Sequence, residues 1–116
     1  MSDPVTDFII RLTSISSALT AVYRQHMADQ GDLLPHVLMG EVTRLVTVNI
    51  GSELPNWLPE FLQQLEDGLV SRDSDIANLI AVSFVENLLG EDATIDALLP
   101  LMGEALRKEV KTICGV

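Results

Sequence analysis

Ile76-Ala77-Asn78-Leu79-Ile80-Ala81-Val82-Ser83-Phe84-Val85-Glu86-Asn87-Leu88-Leu89 is the most apolar run of the chain, and its periodicity decides the fold class. At about 100° per residue, Ile76, Ala77, Ile80, Ala81, Phe84, Val85 and Leu88 fill one broad face, while Asp75, Asn78, Val82 and Glu86 line up opposite. The pattern is that of a helix. Leu79 and Leu89 fall beside the acids, so this stripe combines apolar area with charge, as an interaction surface requires. Alternatively the helix is central and buried nearly all round, with Glu86 and Asn87 satisfying backbone groups or an arginine such as Arg44. Asn78, Ser83, Glu86 and Asn87 interrupt the run, which makes it too short and too polar to span a membrane.

Working outward, Asp73 or Ser74 caps this helix and Gly90 stops it. Before it, Phe61, Leu62, Leu65 and Leu69 form the stripe of another helix. That helix follows Ser52-Glu53-Leu54-Pro55-Asn56-Trp57-Leu58-Pro59, where two prolines four apart hold an extended or turn segment. Earlier still, Asp3-Pro4 reads as a cap with proline at the first helical position, and Val5, Phe8, Ile9, Leu12, Ile15, Leu19 and Val22 carry a first helix to about Asp29. A second helix, starting at Asp32 to Pro35, carries Val37, Leu38, Val42, Leu45 and Val46 towards Ile50. Val46-Thr47-Val48-Asn49-Ile50 also suits a strand, but no second alternating run exists to pair with it. After Gly90, Thr94 starts the last helix, in which Leu98, Leu99, Met102, Leu106, Val110 and Ile113 keep helical spacing. Pro100 either kinks it or separates a short helix from a longer one. The expectation is an all-α, compact, single-domain bundle of about five helices over residues 1–116.

Size agrees with that expectation. For 116 residues and 12.7 kDa, area scaling gives a folded surface of about 6,200 Å² against roughly 18,400 Å² for the extended chain. An autonomous core is therefore expected, and with aromatics at only 4% it must be built from Leu, Val, Ile and Ala. The N-terminus carries Asp3 and Asp7 with no basic lead into an apolar run, so neither a secretory signal nor a transit peptide is read there and a cytoplasmic location is expected.

The formal net charge is −10, and it is concentrated. From Leu45 to Leu106 stand eleven acids and a single base, Arg72, whereas residues 107–116 are net positive through Arg107, Lys108 and Lys111. Such a field repels nucleic acid and anionic lipid and steers basic partners inward. It also serves solubility alone.

Signals for chemistry are sparse. His26 and His36 fall on different helices and outside any His-x-x-x-His spacing, which argues against a metal site. Asp73-x-Asp75 begins like a calcium loop but lacks the third acid, the glycine and the closing glutamate. No Gly-x-Ser-x-Gly elbow or phosphate-binding glycine loop occurs, and Ser83 lies within a helix. Cys114, the single cysteine, excludes an internal disulfide, and its place near a helix C-terminus disfavours the thiolate. No catalytic residue, cofactor or metal ligand is assigned, and the protein is read as non-enzymatic. A small hydrolase would need two carboxylates converging with His26 or His36 in a concave pocket. Trp57 is either a rigid anchor for a partner's pocket or a staple under the turn against the following helix.

Leu33-Leu34-Pro35-His36-Val37-Leu38-Met39-Gly40-Glu41-Val42-Thr43-Arg44 and Ile76 to Leu88, about 25 of the 116 residues, together resemble a family of small bacterial helical proteins of unknown function. Members of that family look like immunity proteins of polymorphic toxin or contact-dependent inhibition systems. The resemblance implies a stoichiometric neutraliser of a cognate toxin domain and brings no catalytic residues. Acidity fits such a role, since carboxylates can occupy a basic site evolved for phosphate or nucleotide. The expected partner is a basic toxin domain, met by Glu60, Asp67, Asp75, Glu86, Glu91 and Asp92, with Trp57 and Leu79 as apolar anchors. The competing class is an adaptor or homo-oligomeric scaffold.

Overall fold

The computed structural model describes residues 3–51 and 53–116 and contains helix and turn but no strand among them. Seven α-helices are present where about five were expected: α1 (Pro4–Thr13), α2 (Ser17–Gln30), α3 (Pro35–Val48), α4 (Leu58–Val70), α5 (Ser74–Ile80), α6 (Asp92–Leu98) and α7 (Glu104–Cys114). A π-helical turn, Ala81–Val85, and a 3₁₀ turn, Glu86–Leu88, continue α5. The strand alternative over 46–50 is settled, because α3 runs through Val48. The extended segment expected over 52–59 begins at Ser52, which lies outside the described residues; from Glu53 to Trp57 it is irregular.

The two extra helices have local causes. The single helix expected from Pro4 to about Asp29 breaks at Ser14-Ile15-Ser16. There the hydroxyls of Thr13 and Ser14 donate back to the Ile9 and Ile10 carbonyls at 2.8 and 2.6 Å. Ser16 then caps α2 by accepting from Leu19 N at 3.2 Å, and Thr20 donates across the break to the Thr13 carbonyl at 2.8 Å. The Ser16 and Thr20 hydroxyls thus stand in for backbone partners that a continuous helix would supply, while those of Thr13 and Ser14 bond back onto carbonyls of α1. At the other end, the helix expected to start at Thr94 begins at Asp92 and finishes at Leu98. Pro100 occupies a 3₁₀ turn, Leu99–Leu101. Met102 and Gly103 are extended before α7 starts. Arg107 closes this corner by donating to the Met102 carbonyl at 2.9 Å.

Elsewhere the caps follow the sequence. Asp73 Oδ1 accepts from Asp75 N and Ile76 N, each at 3.0 Å, and Gly90 stops the segment at φ +84°, a conformation that glycine adopts without the Cβ penalty. The core comprises Phe8, Ile9, Leu12, Leu19, Leu38, Met39, Val42, Leu58, Phe61, Leu62, Leu65, Phe84 and their apolar neighbours, all buried. Helix α3 packs on the π turn, and α4 packs on both α5 and α7. The Cα radius of gyration is 13.3 Å, against roughly 13 Å for a compact chain of this length, and the accessible surface is 6395 Å². No helix among the described residues is long and apolar enough to cross a membrane.

Candidate functional site

The two stretches singled out in the sequence, 33–44 and 76–88, meet along one seam. Gly40, Thr43, Arg44 and Thr47 recur every three or four residues, which puts them on one face of α3. That face looks at the π turn and the residues just after it. His36 Nδ1 lies 2.5 Å from Ser83 Oγ. Thr43 Oγ1 donates to the Met39 carbonyl at 2.6 Å and, across the seam, to the Ser83 carbonyl at 3.1 Å. Asn87 Nδ2 donates to the same Ser83 carbonyl at 2.7 Å. Two side chains therefore converge on one backbone oxygen at the point where the helix widens and Glu86 N–H reaches back five residues to Ala81 O. Such π turns interrupt the ordinary ladder and occur often where a helix carries function.

Beside this contact, Gly40, Thr43, Arg44, Thr47, Asn87 and Glu91 line a polar cavity of about 250 Å³ that is open to solvent. Arg44 and Glu91 both line it, yet no ion pair within 4.0 Å joins them. Of these six residues only Arg44, Asn87 and Glu91 entered the sequence reading as polar groups of interest. The repeated small and hydroxylated positions on α3, Gly40-x-x-Thr43-x-x-x-Thr47, were the available signal.

Each histidine bridges two elements. His26 is fully buried. Its Nε2 accepts from Leu34 N at 3.0 Å, so the ring proton sits on Nδ1, 2.6 Å from Glu41 Oε1. This ties the end of α2 to the start of α3. His36 is exposed and ties α3 to Ser83, which is 5% exposed. A serine nucleophile needs an open approach to its hydroxyl, whereas this one faces the seam. Among the described residues no three His, Cys, Asp or Glu side chains gather as a metal site would require.

The acids nominated from sequence, Glu60, Asp67, Asp75, Glu86, Glu91 and Asp92, are all exposed. Glu60 and Asp67 are seven residues apart on α4 and so share a stripe. Asp75 sits in the first turn of α5, and Glu86, Glu91 and Asp92 occupy the corner before and at the start of α6. Trp57 is half-buried and packs edge-on against Phe61, ring centres 5.8 Å apart at 79°, which is the staple geometry. Leu79 is a correction. It is 1% exposed and part of the core, so it has no surface to offer a partner. Its neighbours along the segment, Val82 and Leu89, are 41% and 54% exposed. Glu86 and Asn87 are exposed as well, against the reading that buried them; Asn87 does satisfy a backbone carbonyl, as that reading anticipated.

Cys114 lies 3.7 Å from the Val85 carbonyl. Burial, and secondarily the charge of Asp92, raise its pKa above the ordinary thiol value, which disfavours the thiolate.

No curated protein and no solved structure matches the chain. A family described as "Domain of unknown function (DUF7674)" matches residues 9–115, a span that includes both halves of the seam and all six residues lining the cavity, and the chain belongs to that family.

Proposed function

We propose that the protein is a non-enzymatic binding protein that engages a more basic protein stoichiometrically, as an immunity protein engages its toxin domain. The observation that carries this reading is the state of the acids. Of the eleven between Leu45 and Leu106, Glu66 and Asp73 are half-buried and cap helices, whereas the other nine are exposed. Among the described residues none of the eleven is neutralised by an ion pair within the chain. Their field therefore reaches solvent, where it accelerates encounter with a cationic surface and disfavours nucleic acid and anionic membrane. Trp57, half-exposed beside Leu54 and Pro55, and Leu89, beside the Glu86 and Glu91 corner, supply apolar contact area in this reading.

A second reading, self-association as a scaffold, is favoured by the opposite charge of α7. Arg107, Lys108 and Lys111 line a shallow groove there with Glu104 and Thr112, and a second copy's acids would complement it.

The experiment is association kinetics with the partner recovered from the native source, at low and at physiological salt, for the wild type and for the double variant Glu60→Lys, Asp67→Lys. The proposal expects a basic partner, an on-rate that falls with salt, and a further several-fold fall in the double variant at unchanged melting temperature. An acidic partner, or rates insensitive to both salt and charge reversal, would overturn it. Recovery of the chain only with itself would move the assignment to the scaffold.

A further inference from the structure

The cavity between α3 and the residues that follow the π turn shares Glu91 with the acidic surface, but the rest of its lining has a different chemistry. A guanidinium and a carboxylate, Arg44 and Glu91, border the same space of about 250 Å³ without closing on each other. Both side chains are exposed, where an ion pair is worth only about 0–1 kcal/mol, so each charged group is free to meet a ligand. The remaining lining is polar and partly pre-set. Asn87 commits one Nδ2 hydrogen to the Ser83 carbonyl and so holds its second N–H and its Oδ1 ready for another partner. Thr47 donates its hydroxyl to the Thr43 carbonyl at 2.9 Å, which leaves its oxygen as an acceptor. Gly40 keeps the wall low: a Cβ there would stand 3.7 Å from Asn87 Nδ2 and would narrow the space in front of that amide.

A guanidinium and a carboxylate bordering one space call for a ligand with an anion and a cation close together. The volume lies below the range of roughly 300–1,000 Å³ typical for drug-sized ligands, so the ligand is small. We propose that this cavity binds a free α-amino acid or an amino-acid-like zwitterion, its carboxylate on the Arg44 guanidinium and the Asn87 amide, its ammonium on Glu91 and the Thr47 oxygen. A planar guanidinium is suited to the first contact because it meets a carboxylate with two parallel N–H bonds. The proposal assigns no reaction to the site.

The test is titration of the full chain with the standard free amino acids, followed by amide ¹H–¹⁵N spectra and by thermal melting. For any that binds, the N-acetyl derivative supplies the carboxylate without the ammonium, and the amide derivative supplies the ammonium without the carboxylate. The expected result is at least one amino acid that shifts the Gly40, Thr43, Thr47 and Asn87 amide signals and raises the melting temperature. Each blocked derivative should bind about tenfold or more weakly, the loss that follows from removing one charged hydrogen-bonded contact. Arg44→Gln and Glu91→Gln should each weaken binding by a similar factor, with helical circular dichroism unchanged because both side chains are exposed. Glu60→Lys with Asp67→Lys should leave it intact, which separates this site from the partner surface. Absence of any shift across the amino acids, equal binding of a blocked derivative, or shifts that map away from the seam would each overturn the proposal.

Discussion

Glu66 and Gly103 are fitted to one another: the carboxylate of Glu66 occupies the space that a side chain at Gly103 would need. A Cβ on Gly103 would lie 2.6 Å from both Cγ and Oε1 of Glu66. Through that gap the carboxylate reaches the start of α7 and accepts from Ala105 N at 3.0 Å and Leu106 N at 2.8 Å. Glycine, the residue at the N-cap position itself, has no side chain to do so. An acid of α4, some forty residues away in sequence, caps α7 instead.

Glu66→Ala should therefore destabilise the fold by about 1–2 kcal/mol, the usual worth of a helix cap. Gly103→Ala should cost a comparable amount by pushing the carboxylate off its two donors. Because both substitutions remove the same contact, the double variant should cost clearly less than the two single costs together. Urea denaturation of the four proteins checks this.

Gly68→Ala should be among the more damaging small substitutions. An added methyl would stand 2.9 Å from Ile80 Cδ1, 2.9 Å from Phe8 Cε1 and 3.0 Å from Ile76 Cγ2, where α4 lies against α1 and α5. Overpacking of this kind costs about 1–3 kcal/mol. The gain in helix propensity from replacing glycine, about 1 kcal/mol, offsets only part of it. The expected outcome is a lowered denaturation midpoint with an unchanged m-value.

His26→Ala should destabilise by about 2–4 kcal/mol, through lost packing and through the Leu34 N–H and the Glu41 carboxylate left without their partner. Amide hydrogen exchange should show the loss first at Leu34 and the α2–α3 turn.

Cys114 should react slowly with thiol reagents at neutral pH, more slowly than a small free thiol. Its folded pKa is raised above 9.0, so the native state holds the proton more tightly than the unfolded state does. The stability this confers is fully present below about pH 9 and is lost as pH rises through the folded value. Cys114→Ser should flatten that alkaline decline, as measured by denaturation between pH 7 and 10.

Helical class, the Asp73 cap and the Gly90 stop were legible in the sequence, because spacing and capping chemistry act locally. The break after Thr13 was not, since Ile15 keeps the apolar period running through it while the hydroxyls of Ser16 and Thr20 take over backbone groups left by the break. Leu79 was misplaced for a related reason. Before the π turn the buried positions are Ile76, Leu79 and Ile80, within it they are Ser83, Phe84 and Val85, and after it Leu88. A single wheel drawn through both averages two phases and puts Leu79 on the wrong side. The seam itself depends on residues 40 positions apart, Thr43 and Ser83, which no periodicity connects.

The widened turn at Ala81–Val85 makes the number of residues in this segment a constraint in its own right. Removing any one of the five would restore an ordinary α-helix and rotate everything downstream by about 100°. Leu88 would swing out of the core and Asn87 away from Gly40, although every side chain needed for both was still encoded. Point substitutions within the turn change one contact at a time. A one-codon deletion there would act as a change of gear, and related chains that keep this seam should conserve the length of the segment more strictly than its letters.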